Sequence, residues 1–111
     1  MGRLTCLACA FTLALQGVAQ AHNPRNLVKA FQCIYRHENG GYGWTANTGN
    51  GYYGGLQMDL SFQRDWGKEF LRAFGTADRW PKEIQLAVAI RAYLKLGFSP
   101  WPTTSRICGL R

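Results

Sequence analysis

Acidic residues are scarce in this chain. Asp and Glu together number 6 among 111 residues, against 13 Lys and Arg. Without Arg3, which lies in an N-terminal segment discussed below, the formal charge is about +6. That balance favours polyanionic surroundings, such as nucleic acid, anionic lipid or a phosphate-bearing polymer. The basic residues are scattered along the chain, which argues against specific nucleic-acid binding.

Linkers and repeats are also lacking. No run of Pro, Ser or Gly separates two halves, and the chain has no internal repeat or low-complexity tract. Residues 22–111 are long enough for one domain with a modest hydrophobic core. We therefore expect a single domain over this range.

The N-terminus has the pattern of a secretory signal peptide over residues 1–21. Arg3 supplies a positive charge, Leu4–Leu15 an apolar stretch, and Ala19–Ala21 a small-residue cleavage site. The apolar stretch is too short for a membrane span, and the alternative is a buried N-terminal helix. We expect a secreted protein without a membrane span. Cys6 and Cys9 have C-x-x-C spacing but would leave with this segment.

Two cysteines remain, Cys33 and Cys108. An even number in a small exported domain most simply forms one disulfide, which would close nearly the whole domain into a loop. The chain-entropy model gives such a bond roughly 3 to 5 kcal/mol. Metal ligation is the alternative, but two thiolates without a His pair make a poor zinc site, so we expect no metal.

Helical periodicity organises three segments. Residues 26–38 carry an apolar stripe that includes Phe31 and Ile34, Glu38 falls on the same stripe, and the following glycines should end the helix. Ser61 is a candidate N-cap for a second helix that ends at Gly75. Pro81 suits the first position of a third, buried helix that ends at Gly97. Residues 98–111 are expected to be an irregular tail.

Residues 44–58 read as strand, turn and strand, with the turn at Asn47–Gly51 because Gly and Asn tolerate positive φ. A β-hairpin among helices predicts an α+β domain, mainly helical, in which the hairpin lines a groove.

The amino-acid sequence of this segment resembles that of a known family. Asn47–Gln57 is nearly identical to part of the catalytic domain of the resuscitation-promoting factors, which are small lysozyme-like proteins that act on bacterial peptidoglycan. Gln85–Ala89 and Trp101-Pro102 resemble the end of that domain, so the similarity spans about residues 27–108. Two departures concern the cysteines. Family members often have Cys at the position of His37. Their second Cys lies closer to the Trp-Pro pair than Cys108 does in this chain.

The resemblance implies that Glu38 is the catalytic acid. Its position at a helix C-terminus among apolar side chains should raise its pKa and keep a proton available. The alternative is a Glu that caps the helix or pairs with Arg36.

The second carboxylate of c-type lysozymes is missing, since Tyr52 takes its place, and Asp59 is expected outside the cleft. A single acid fits a lytic transglycosylase, in which the muramoyl sugar's own hydroxyl attacks. Water attack, a two-carboxylate lysozyme and a non-catalytic wall-binding module remain as alternatives.

The substrate would be the glycan strand of peptidoglycan, cut between muramic acid and glucosamine sugars. Candidate hydrogen-bonding residues are Thr48, Asn50 and Gln57, although Asn50 equally suits turn geometry. Tyr52 is the preferred stacking residue over Tyr53, Trp44 and Trp101, while Trp66 and Trp80 are assigned to the core.

No second His follows His37-Glu38 at metalloprotease spacing, so neither metal nor cofactor is implied. We expect a monomer in the cell wall, with another cell-wall hydrolase as a candidate partner.

Overall fold

The computed structural model describes residues 23–111, so the expected signal peptide lies outside the described residues. Within these residues, five α-helices follow one another. They are α1 Pro24–Glu38, α2 Leu60–Trp66, α3 Lys68–Phe74, α4 Lys82–Leu96 and α5 Pro102–Ile107, with a 3₁₀ turn at Ala77–Arg79 before α4. None of the helices in this part of the chain has both the length and the apolar character to cross a membrane.

Helix α1 ends where its sequence indicates and begins at Pro24, two residues before the predicted stripe. The Asn23 side chain accepts a hydrogen bond from the backbone N–H of Arg25 at 2.9 Å, which caps the first turn. Phe31 and Ile34 are fully buried, and the helix ends at Glu38. The predicted apolar stripe and C-terminus of this helix are therefore confirmed.

The core lies between α1, α4 and the start of α5. Trp101 is only 3% exposed, and its ring contacts Phe31 and Phe62 edge-on, with centroids 5.0 and 5.5 Å apart. Val88 on α4 is fully buried in the same cluster. Aromatic pairs of this geometry add to the free energy gained by burying their surface.

The predicted β-hairpin is not present in the described residues. Tyr53 instead makes two isolated antiparallel bridges, one to Asn47 and one to Met58. Gly54 has a φ of 80° and Gln57 a φ of 51°, and neither angle belongs to an extended strand. The chain therefore turns tightly between these two residues, and the domain is mainly helical with an irregular segment over residues 39–59, termed the 39–59 loop.

Buried side-chain amides hold this loop where a sheet would use backbone pairs. Oε1 of Gln85 on α4 accepts from Gly55 N–H at 2.9 Å, and its Nε2 donates to the carbonyls of Trp44 and Trp80 at 2.9 and 3.0 Å. Gln63 on α2 likewise donates to Met58 O at 2.9 Å. Because buried backbone groups must be hydrogen-bonded, these amides supply the partners that irregular backbone lacks.

The predicted second helix is two helices, α2 and α3, separated at Gly67. A Cβ on Gly67 would lie 2.6 Å from Cη2 of Trp80, so only glycine fits at this position. The N-cap is Asp59, whose carboxylate accepts from Phe62 N–H at 2.8 Å, and not Ser61. The break allows Trp80 to enter the core.

The remaining helix predictions have mixed outcomes. Helix α4 ends before Gly97 as expected, but it begins at Lys82, so Pro81 is its N-cap residue and does not occupy its first position. The expected irregular tail is wrong, because residues 102–107 form α5, with Pro102 in its first turn where a missing N–H costs nothing.

Candidate active site

Glu38 is the last residue of α1 and its carboxyl group is half-buried. Burial raises the pKa of this carboxyl group, in the direction the sequence indicates. A hydrogen bond from Oγ1 of Thr104 to Oε2 of Glu38, 2.9 Å long, acts in the opposite direction and lowers the pKa. Since burial is the larger effect, the group holds its proton at higher pH than an exposed glutamate does.

The disulfide predicted between Cys33 and Cys108 is confirmed, with an S–S distance of 2.06 Å. It joins α1 to the residue that caps the C-terminus of α5. His37 lies nearby, and its ring nitrogen and the two sulfurs fall within 4.8 Å of one another. Because each sulfur is bonded to the other, neither is a thiolate that could bind a metal ion.

Asn39, the residue after Glu38, fastens the loop to the helix. Its Oδ1 accepts from the N–H groups of Gly41 and Gly43 at 2.9 and 3.1 Å. Its Nδ2 donates to the carbonyl of Gly55 at 3.2 Å. The side chain is buried, so these bonds are shielded from water. The first residues of the loop and Gly55 are thus both tied to the residue that follows Glu38.

Gly55, whose carbonyl accepts from Asn39, lies in a tight space. A Cβ on it would approach Cε3 of Trp44 to 2.5 Å and Cδ1 of Tyr35 to 2.6 Å. The Tyr35 and Trp44 rings stack on each other, with centroids 4.3 Å apart and planes 10° apart. Trp44 therefore packs against Tyr35 and the loop backbone, and one face of its ring is covered by the Tyr35 ring.

A groove of about 360 Å³ is lined by residues of the 39–59 loop, of α2 and of the segment 96–101, and Glu38 is not among them. Its polar lining includes Gln57, Asp59, Ser61, Asp65 and Ser99, and its aromatic lining includes Tyr52, Phe62, Trp66 and Trp101. Of the expected substrate-binding residues, Tyr52 and Gln57 line this groove, whereas Thr48 and Asn50 lie on the exposed turn outside it. Tyr52 is 47% exposed, which leaves its ring available for stacking on a flat ligand.

Other aromatic and turn residues have structural contacts. Trp101 is buried and its Nε1 donates to the carbonyl of Leu56 at 2.9 Å, so it forms the floor of the groove and does not offer a free ring face. Trp80 is buried in the core as expected, while Trp66 both contacts the core and lines the groove. Oδ1 of Asn50 accepts from Tyr52 N–H at 3.0 Å, which is the turn-forming role.

Asp59 lines the same groove as Tyr52 and Gln57. Because Glu38 is not among the residues that line this groove, the expectation that Asp59 lies outside the cleft around Glu38 stays a prediction. The tight turn from Gly54 to Gln57 folds the chain back, so residues on both sides of it face one groove. The Asp59 carboxylate is engaged in capping α2.

Thr104 is the site residue that sequence reasoning missed. It is 6% exposed and lies one helical turn after Trp101, so the groove floor and the Glu38 contact are both on the first turn of α5. The available signal was Pro102, which is typical of a helix start. A helix from this position places residues 104 and 108 on one face, and the pairing of Cys108 with Cys33 then brings Thr104 towards Glu38.

A small helical domain with a half-buried glutamate at a helix end, and with a groove lined by aromatic and polar side chains, is consistent with a lysozyme-like domain. The family model of the transglycosylase-like domain matches residues 26–104, and the chain belongs to this family.

Its relatives include three resuscitation-promoting factors. RpfB of Mycolicibacterium smegmatis is 40% identical over 72 residues, which are 64% of this chain and 19% of that protein. Rpf1 of Corynebacterium glutamicum is 40% identical over 66% of this chain and 36% of its own length. RpfC of Mycobacterium tuberculosis is 38% identical over 84% of this chain and 59% of its own length. The matched region is thus only part of each relative.

Proposed function

We propose that this protein is a secreted enzyme that cleaves the glycan backbone of peptidoglycan between muramic acid and glucosamine sugars. The observation that carries the proposal is the half-buried Glu38 carboxyl group, with its raised pKa, at the junction of α1 and the 39–59 loop. Membership of the transglycosylase-like family and similarity to resuscitation-promoting factors support it. A binding module has no need for a carboxyl group that is costly to ionise.

The proposed reaction is that of a lytic transglycosylase with one acid. Protonated Glu38 donates its proton to the glycosidic oxygen as the bond from that oxygen to the muramoyl anomeric carbon breaks. A hydroxyl of the same muramoyl sugar attacks this carbon, and the Glu38 carboxylate takes its proton. One carbon–oxygen bond is broken and one formed, no water is consumed, and Glu38 ends protonated as it began.

The groove would hold the strand during this reaction. Tyr52 offers an exposed ring for a sugar face. Gln57 lines the same groove; its Nε2 donates to the carbonyl of Gly54 at 2.9 Å, and its Oε1 would accept hydrogen bonds from N-acetyl N–H or hydroxyl groups. Thr48 and Asn50, on the exposed turn, would contact more distant parts of a long strand. Fixing the sugar so that its own hydroxyl faces the anomeric carbon is the main contribution that binding makes to the rate.

A second candidate function is hydrolysis by two carboxylates, and it is favoured by one observation, the presence of Asp59 in the groove. Against it, Asp59 is held by the N-terminus of α2, which orients its carboxylate towards Phe62 N–H. The two reactions leave different ends on the product. Mass distinguishes them, because an anhydro end is lighter than a reducing end by one water.

Mass spectrometry of fragments released from purified peptidoglycan tests both candidates. We expect anhydro-muramoyl ends from the wild type and no release by Glu38→Gln, whose amide cannot donate a proton at neutral pH. Glu83→Gln, an exposed change in the first turn of α4, is the matched control and should release fragments at the wild-type rate. Release by Glu38→Gln at more than a tenth of the wild-type rate would contradict the assignment.

Export to the cell wall completes the proposal. The disulfide is compatible with an oxidising compartment. The formal charge of +7, or about +6 without Arg3, suits a wall that carries phosphate polymers. Action as a monomer and cooperation with a second cell-wall hydrolase stay predictions.

A further inference from the structure

Helices α1 and α5 are joined by two side-chain links. Cys33 is bonded to Cys108, and Glu38 accepts a hydrogen bond from Thr104. As α1 proceeds from 33 to 38, the contacts on α5 go back from 108 to 104, so the helices run antiparallel at this contact. The covalent link fixes the register in which the hydroxyl of Thr104 meets the carboxyl group of Glu38.

The two buried hydroxyls of α5 behave differently. Oγ of Ser105 donates within its own helix, to the carbonyl of Pro102 at 3.3 Å, as helical Ser and Thr often do. Oγ1 of Thr104 donates instead across 66 residues of sequence to Oε2 of Glu38, at 2.9 Å. The Thr104 side chain is almost wholly buried, so water does not compete freely for this bond.

We propose that Thr104 is a positioning residue for the reaction of Glu38: its hydroxyl holds Oε2, so that the proton given to the leaving oxygen resides on Oε1. This inference rests on the proposed function. The hydroxyl donates to Oε2 whether or not Oε1 carries a proton, so the acid and base forms share one orientation. A carboxyl group that must act first as acid and then as base, within one turnover, gains from such a fixed geometry.

Titratable side chains on the elements around Glu38 are mostly exposed. The exposed ones on α1 are Arg25, Lys29, Arg36 and His37; those of the loop are Tyr42, Tyr52 and Asp59; α4 carries Lys82, Glu83, Arg91 and Lys95, and α5 carries Arg106. Tyr35, Tyr53 and Tyr93 are half-buried. Burial and the Thr104 hydroxyl are the two causes that shift the pKa of Glu38. Removal of the hydroxyl should therefore raise that pKa further.

Three variants test the proposal. Thr104→Val removes the hydroxyl with little change of shape, Thr104→Ser keeps it, and Thr103→Val makes the same chemical change at the exposed neighbour on α5. Two quantities are measured for each: the titration midpoint of the Glu38 carboxyl carbon by NMR, and the pH profile of fragment release from purified peptidoglycan.

We expect Thr104→Val to move the Glu38 midpoint and the basic limb of the rate profile to higher pH, because the bond that favours the carboxylate is lost. Its kcat should fall about tenfold with KM unchanged, since the ground-state contacts of the glycan remain. Thr104→Ser should restore the wild-type midpoint and most of kcat, and Thr103→Val should match the wild type.

The outcomes separate this inference from the proposed function. A wild type that releases no fragments would contradict the proposed function, and the positioning role with it. An active wild type together with Thr104→Val of unchanged kcat and unchanged midpoint would overturn only the positioning role. Equal losses in Thr104→Val and Thr104→Ser would show that packing at this position matters and the hydroxyl does not.

Discussion

Oε1 of Gln85 accepts a hydrogen bond from the backbone N–H of Gly55 at 2.9 Å, between two residues 30 positions apart in the chain. The same side chain donates to the carbonyls of Trp44 and Trp80. One buried amide therefore connects α4 to three backbone groups around the 39–59 loop. The shape of the loop beside Glu38 depends on this amide more than on strand pairing.

Replacing Gln85 by Leu should destabilise the domain by roughly 3 kcal/mol, because the substitution leaves buried backbone groups without partners. Urea unfolding followed by circular dichroism measures the change. Gln32→Leu, a half-buried change on α1, is the control and should stay within about 0.5 kcal/mol of the wild type. An equal effect of the two changes would show that the Gln85 hydrogen bonds do not hold the loop.

Glu38→Gln should make the folded state more stable than the wild type at neutral pH. The pKa of Glu38 is raised from its ordinary value of 4.5, so the folded state binds more protons than the unfolded state above that pH. Wild-type stability therefore falls as pH rises from 4.5 through the folded pKa, whereas Gln has no charge to lose. The difference between the two proteins should vanish below about pH 4.

Thermal unfolding of both proteins across this pH range measures the effect. A Gln variant that is less stable than the wild type at pH 7 would show that burial does not penalise the Glu38 carboxylate. Glu83→Gln, an exposed change in the first turn of α4, is the control for replacing a glutamate by Gln away from Glu38.

Asp59→Asn should leave the fold intact and reduce cleavage by no more than a few fold. Asn is as good an N-cap as Asp, so α2 keeps its first turn. In the one-acid mechanism the change removes a groove-lining charge and no reacting group. A loss of a hundredfold or more, with reducing muramoyl ends from the wild type, would instead make Asp59 a second catalytic acid.

Changing Cys33 and Cys108 together to Ser should cost about 4 kcal/mol of stability, because the bond closes a loop whose ends are 75 residues apart. Cleavage should fall as well, since the bond sets the register of α1 and α5 at Glu38 and Thr104. Urea unfolding and the rate of fragment release measure the two effects. Titration of the native, unreduced protein for free thiols should find none from this pair, and two would contradict the prediction.

The features that the sequence determined by itself are those with a local cause. The stripe through Phe31 and Ile34 and the glycines after Asn39 define α1 and its end. Pro81 and Gly97 bound α4 for similar reasons. With two cysteines left after residue 21, the disulfide had one available pairing. Helical spacing places Glu38 on the apolar stripe of α1, and the resemblance to the resuscitation-promoting factors then singled it out as the catalytic acid.

Tertiary structure alone decided the rest. Gly67 interrupts a helical pattern because Trp80 occupies the space beside it, and the expected hairpin gives way to a loop held by Gln63 and Gln85. Thr104 reaches Glu38 from 66 residues away. Each of these contacts joins side chains to distant backbone or to one another, and periodicity along the chain carries no information about which distant groups will meet when the core closes.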